Sequence, residues 1–406
     1  MTGPVVVTGL GVLAPNGIGA EDYWAATLAG RGGIAPISTF DASGYPSRLV
    51  GRIEPFEAAE HIPNRLLPQT DRVTQLALAA TDWALADAGV DPAALPEYDM
   101  GVITSNACGG VEFTHVEIEK LWTVGPGHVS VYESFAWFYA VNTGQISIAH
   151  GMRGPSGVLV GEQAGGLDAV GHARRQVRKG IGLVVSGGLD SALDPWGVVA
   201  HISGGQVSTA TDPRRAFLPF DREAGGGVPG EGGAILILED LAAARRRDER
   251  PVYGEVVGYA ATFDPAPDSG RPPGLRRAVE LALTDARINP SDVDVVFADS
   301  AGVAELDRIE ADAIADVFGP EAVAVTAPKS MTGRLSAGGG PLDLATALLS
   351  IRDGVIPPTA NVSDVPAEYR LDLVRDQPRD ADVRTALVLA RGAGGFNSAI
   401  VLRAMP

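Results

Sequence analysis

Apolar residues recur at helical spacing in two places that echo one another. Val73, Leu76, Ala80 and Trp83 mark one face of a first helix; Leu275, Val279, Ala282 and Ala286 mark one face of a second. Each helix ends in a related stretch. Trp83-Ala84-Leu85-Ala86-Asp87-Ala88-Gly89-Val90-Asp91-Pro92 parallels Leu281-Ala282-Leu283-Thr284-Asp285-Ala286-Arg287-Ile288-Asn289-Pro290, and the Pro in each is expected to stop the helix. A short apolar strand follows in both, Met100 to Thr104 and Val293 to Ala298.

A weaker echo lies further along. Gly166-Leu167-Asp168 opens a helix expected to end near Arg178-Lys179-Gly180, and Leu342-Asp343 sits in one expected to end near Arg352-Asp353-Gly354. Both carry basic residues late, where the helix dipole favours them, and both have a Gly to turn the chain. Further strands are expected at Val5 to Thr8, Gly182 to Ser186, Ala234 to Leu238, Val252 to Ala260, Ala386 to Ala390 and Ala399 to Leu402. The alternation predicts a layered α/β protein built by internal duplication, with halves 1–250 and 251–406 divided just after Arg245-Arg246-Arg247. The Pro/Gly-rich stretch Asp264 to Gly274 reads as a surface loop, since a helix resumes at once.

The 406 residues carry a net charge of −18. That balance disfavours nucleic acid and anionic membranes as partners, which select a basic face. The longest uncharged stretch, Ser134 to Met152, is interrupted by Asn142, Gln145 and His150 and is no bilayer span. Cys108 is the lone cysteine, so neither an internal disulfide nor a Cys-rich metal site is expected, and no metal site is assigned. No Lys or Arg precedes Arg31, so no basic leader region is expected, and a reducing cytoplasm fits.

The candidate chemistry centres on position 163. Val160-Gly161-Glu162-Gln163-Ala164-Gly165-Gly166-Leu167-Asp168-Ala169 is an apolar approach, a small-residue turn and a helix start, the pattern of a nucleophile elbow. The elbow residue is Gln, whose carboxamide cannot form a thioester. Cys108, in Ser105-Asn106-Ala107-Cys108-Gly109-Gly110, has no basic neighbour in sequence and reads as a small buried apolar residue rather than a substitute nucleophile. The run Gly225 to Gly233 lacks the Gly-Lys-Ser/Thr ending of a phosphate loop and leads into a strand instead of a helix.

Val5-Val6-Val7-Thr8-Gly9-Leu10-Gly11, Pro219-Phe220-Asp221-Arg222, Gly230-Glu231-Gly232-Gly233, Pro357-Pro358-Thr359-Ala360-Asn361 and Gly394-Gly395-Phe396-Asn397-Ser398 resemble the β-ketoacyl synthases of the thiolase superfamily over essentially the whole chain. Gln163 within its glycine-rich context is similar to one branch, the ketosynthase-β subunits, or chain length factors, of bacterial aromatic (type II) polyketide synthases. The resemblance implies a five-layered αβαβα thiolase fold and a heterodimer with a ketosynthase-α subunit that carries a catalytic Cys and two His. It also implies a shared acyl carrier protein that brings the phosphopantetheine, with no cofactor held by this chain, and a growing polyketide as the bound chain.

Carried onto this sequence, the family's two His fall on Asp299, in Ala298-Asp299-Ser300-Ala301-Gly302, and on Arg334, in Lys329-Ser330-Met331-Thr332-Gly333-Arg334. All six His lie at or before His201, so the second half supplies no imidazole under any alignment. Asp299 and Arg334 are expected to form a buried ion pair in the dead site. Lys329 keeps the family's Lys in a structural role, and Gly227 stands where ketosynthases often place a bulky residue beside the thiol. The family places the aromatic run Val131 to Tyr139 near the subunit interface. It also closes the chain-length tunnel with side chains that correspond to Val111, Thr114, Ile118 and Trp196 here. Val111 and Ile118 are smaller than the Phe of the shortest tunnels, which implies a deeper one. Two other readings remain open: a malonyl-thioester decarboxylase acting through Gln163, since enolate stabilisation needs donors and no nucleophile, and a non-catalytic acyl-binding homodimer.

Overall fold

A computed structural model describes residues 3–247, 250 and 252–405. The duplication anticipated from the helix echoes is written into the sheet. From the centre outward, the first half orders its strands Val5–Ala14, Gly232–Asp240, Leu183–Asp190, Met100–Ser105 and Ser156–Leu159. The second half repeats the same connectivity with Gly254–Phe263, Phe396–Arg403, Thr385–Gly392, Val295–Phe297 and Ala324–Thr326. The first strands of the two halves meet antiparallel through Val6 opposite Glu255 and Val7 opposite Gly254. The strand Val5–Ala14 is buried along its entire length, which explains its unbroken apolar sequence.

Helices Gln163–Arg178 and Gly339–Asp353 pack against each other between the two half-sheets, while Arg72–Asp87 and Leu275–Ala286 cover the outer faces. The result is the five-layered αβαβα thiolase arrangement. The outer layers dock through matched close contacts. A Cβ on Gly9 would lie 2.2 Å from the Ala84 carbonyl oxygen, and one on Gly258 would lie 2.3 Å from that of Ala282. Ala84 and Ala282 are the positions paired in the sequence echo, so each half presses its outer helix onto its first strand at a residue without a side chain.

Several local expectations change. Pro92 and Pro290 do not end the outer helices; each begins a later 3-10 turn, Pro92–Ala94 and Pro290–Asp292. The chain has already turned at Gly89 (φ 63°) and Arg287 (φ 57°), both left-handed. The strand anticipated over Val293 to Ala298 is confined to Val295–Phe297, and the glycine run ends inside a strand that begins at Gly232. The half boundary placed near residue 250 falls beside residues 248, 249 and 251, which lie outside the described residues. No described helix is long and apolar enough to cross a membrane.

Candidate functional site: a thiol-free elbow closed by an ion pair

Gln163 is the first residue of the inner helix Gln163–Arg178 and is buried. The residue before it, Glu162, adopts φ 49° and ψ −131°, the strained turn that aims an elbow residue into the centre of the fold. Ser300 (φ 45°) and Ser336 (φ 47°) are likewise left-handed without being Gly, and both touch the same site.

The Gln163 carboxamide is held at both ends. Its surroundings orient it with Nε2 donating to the Ser336 carbonyl at 3.1 Å and Oε1 accepting from Arg334 Nε at 3.2 Å. Arg334 then reaches Asp299. Its Nη2 lies 3.2 Å from Asp299 Oδ2, so the pair expected of these two residues is made, with side-chain exposures of 18% and 3%. Nη1 donates to the carbonyls of Asp299 and Ser300, each at 3.1 Å, and Nη2 also reaches the Arg391 carbonyl at 3.5 Å. Every N–H of the guanidinium is therefore engaged within the protein. Asp299 Oδ1 accepts from the Arg391 backbone N–H at 2.9 Å, which fixes the carboxylate from a second strand.

Space for Arg334 comes from Gly227, where a Cβ would lie 2.8 Å from Arg334 Cδ. Gly227 and the Arg334 stem thus share one space.

Lys329 is buried and pairs with the equally buried Asp343, Nζ to Oδ2 at 2.6 Å, while donating to the Ala298 carbonyl. Burial pushes the Asp343 carboxyl up to about 6, with Lys329 pulling the other way. Lys329 thus ties the inner helix Gly339–Asp353 to the chain just before Asp299.

Other residues of the network carried no signal in the sequence. Glu310, in the helix Ala304–Phe318, accepts from the backbone N–H groups of Asp299 and Ser300, both at 2.7 Å. Burial, reinforced by the nearby Asp299 charge, pushes its carboxyl up to about 7. Asp307, one turn earlier, accepts from Phe220 N at 2.9 Å and Gly302 N at 3.0 Å. Glu162 accepts from Ala393 N, and burial raises its pKa against the pull of Arg334. Glu162 at least adjoins the elbow residue; Glu310 and Asp307 look in sequence like ordinary acids of an amphipathic helix.

Cys108 sits at the edge of this network, its Sγ 3.9 Å from Ser336 Oγ. Burial pushes the thiol well above its usual range, and the neighbouring Asp190 carboxylate pushes it further. Asp190 accepts from the backbone N–H groups of Ala107, Cys108 and Ala337. A thiol facing a carboxylate with no base beside it is a poor nucleophile.

Val111, Thr114 and Ile118 form a separate group. They lie partly buried on one face of the helix Val111–Thr123, which follows the Cys108 loop. Trp196 opens the helix Pro195–Ser203 and joins that face by stacking on His115, with ring centroids 5.1 Å apart and planes 11° apart. Among the described residues, no hydrogen bond, ion pair or ring stack links this group to Gln163. The connection runs through the loop from Asn106 to Gly110, whose Cys108 reaches Ser336.

The aromatic run is mostly uncovered: Ala136 is buried, while Val131, Trp137, Phe138 and Tyr139 are exposed. Trp122 (82% exposed) and Ile148 (76%) are among the large apolar residues left in solvent, an exposure typical of a surface awaiting a partner.

Comparison with known proteins agrees with this geometry. The family model for the β-ketoacyl synthase N-terminal domain matches residues 2–244, and that for the C-terminal domain matches residues 253–363. The chain is 66% identical to an actinorhodin polyketide β-ketoacyl synthase 2 of Streptomyces coelicolor, over 98% of each chain. It is 60% identical to the tetracenomycin polyketide synthase ketoacyl synthase beta subunit of Streptomyces glaucescens, again over 98% of each. Among solved structures, the ishigamide ketosynthase/chain length factor superposes with a TM-score of 0.90 at 28% identity, over 100% of both chains. A type II polyketide synthase acyl-carrier protein in complex with its ketosynthase bound to the hexaketide gives 0.89 at 26%, also over 100% of both chains. Matched over most of its length by the two β-ketoacyl synthase models and 60–66% identical to a β-ketoacyl synthase 2 and a ketoacyl synthase beta subunit, the chain belongs to the β-ketoacyl synthase family, in the branch of the ketosynthase-β subunits of type II polyketide synthases.

Proposed function

We propose that this chain is the non-condensing partner of a Cys-containing ketosynthase-α. The pair builds a poly-β-ketone from malonyl units on an acyl carrier protein, which brings the phosphopantetheine arm, and this chain sets product length through a tunnel at the subunit interface. A cytoplasmic setting suits the single thiol. The observation that carries the reading is the closed Gln163–Arg334–Asp299 network. It puts a carboxamide where acyl transfer needs a thiolate and spends the guanidinium donors on internal acceptors. The exposed apolar surface around Trp122, Val131 and Trp137 supports a partner subunit. The relatives described as a ketosynthase/chain length factor and as a ketosynthase with its acyl-carrier protein support the assembly.

The saturated donors also weigh against decarboxylation at this site, because an enolate oxygen needs N–H groups that are free to turn to it. The test is reconstitution with malonyl-carrier protein. The isolated chain is expected to release neither condensation product nor carbon dioxide above background, and the mixture with its ketosynthase-α to make a polyketide. Covalent acylation and extension by the isolated chain would overturn the reading.

A further inference from the structure

His115 lies four residues after Val111 and three before Ile118, on their face of the helix. Its imidazole is fixed from two directions. Nδ1 is 2.6 Å from Asp194 Oδ2, and the ring lies flat against the Trp196 indole. Asp194 is itself immobile. Its side chain is 6% exposed, and its other oxygen accepts from Gly197 N at 2.9 Å, capping the helix that Trp196 opens. The cap sets the helix start, the cap residue holds the imidazole, and the imidazole holds the indole.

We infer that His115 is a positioning residue for product length: Asp194 holds the imidazole, and the imidazole holds Trp196 against the face of Val111 and Ile118 that lines the proposed tunnel for the growing poly-β-ketone. The inference rests on the tunnel reading above. Trp196 is 44% exposed, and its only ring stack among the described residues is with His115. An indole without that support has other rotamers open to it. Removing the imidazole frees space on the helix face into which the indole can settle, which widens the proposed tunnel.

The experiment uses the reconstituted heterodimer with malonyl-carrier protein, reading the distribution of product lengths by mass spectrometry. His115→Ala is expected to raise the ratio of longer to parent-length product by roughly tenfold, the low end of what a pocket's discrimination loses when its wall moves by a methylene or more. His115→Phe keeps a ring for the stack but loses the Asp194 contact, and is expected to shift the ratio in the same direction as His115→Ala but by less. His115→Gln keeps a donor for Asp194 but no ring and is expected to behave as His115→Ala, which also covers the case in which the alanine variant fails to assemble. A purely structural role would lower all products together and leave the ratio alone. Ile118→Phe is run in parallel. If it shifts length and His115→Ala does not, the positioning role is wrong while the tunnel stands. If neither shifts length, the tunnel reading fails and the positioning role fails with it.

Discussion

Gly227 and Arg334 occupy one another's space: the Arg334 aliphatic stem passes where a side chain on residue 227 would stand, its Cδ only 2.8 Å from where a Cβ would project. A side chain at 227 and the present course of the Arg334 stem are therefore mutually exclusive.

Gly227→Met is accordingly expected to push Arg334 off Asp299. Overpacking of this kind costs about 1–3 kcal/mol. Chemical denaturation is expected to show that loss, and Gly227→Met combined with Arg334→Ala is expected to recover part of it.

The ion pair makes a sharper test. Asp299→Ala leaves Arg334 half-enclosed without its counter-charge and is expected to destabilise by about 3–5 kcal/mol. Asp299→Ala with Arg334→Met removes both charges and is expected to cost less than the sum of the single changes, read from a double-mutant cycle. Strict additivity would mean that the two residues do not act as a pair.

Gln163→Ala strips the partners from Ser336 O and Arg334 Nε. The expected cost is about 1–3 kcal/mol for the buried groups left unpaired. Condensation per assembled heterodimer is expected to stay near the parent rate, because the carboxamide is structural. A decarboxylase working through Gln163 would instead lose turnover.

Glu310 gives the site a pH signature. Its carboxyl is pushed up to about 7 by burial and by Asp299, against roughly 4.3 in an unfolded chain. The folded state therefore binds the proton more tightly. Stability from this group is complete below about pH 4 and is lost as pH rises through 7. His150, His172 and His201, all lowered by burial, act in the opposite sense, so the comparison is made against a variant. The stability advantage of the parent over Glu310→Gln is expected to be greater at pH 5.5 than at pH 8, measured by urea unfolding at both.

Val111→Phe or Ile118→Phe adds bulk to the helix face that carries the proposed tunnel. Either change is expected to shorten the polyketide made by the heterodimer by at least one two-carbon unit. Unchanged product length from both would remove these residues from length control.

The architecture is legible in the sequence because it is periodic. The apolar spacings at Val73 and Leu275 and the matched Ala84 and Ala282 reflect burial against strands, and burial leaves a pattern in sequence. The helix stops are not legible in the same way, because Pro92 is visible in a sequence, whereas a left-handed Arg287 is not: nothing in an Arg announces a positive φ. In the site, Gln163, Asp299, Arg334 and Lys329 can be placed because family motifs frame them. Glu310 cannot, since a carboxylate that binds two backbone N–H groups from another segment looks no different in sequence from one that faces water. His115 is silent for a similar reason. Its partners, Asp194 and Trp196, lie some eighty positions away in the chain and meet it only after folding.

The left-handed serines at 300 and 336 and the left-handed glutamate at 162 hold backbone shapes that glycine would take without a Cβ penalty. Each costs a residue with a Cβ some backbone strain and persists only because the surrounding contacts impose it. Glu162 also holds the Ala393 backbone N–H, but the Ser300 hydroxyl has no partner among the described residues, which leaves position 300 open to glycine replacement by an engineer seeking a sturdier subunit.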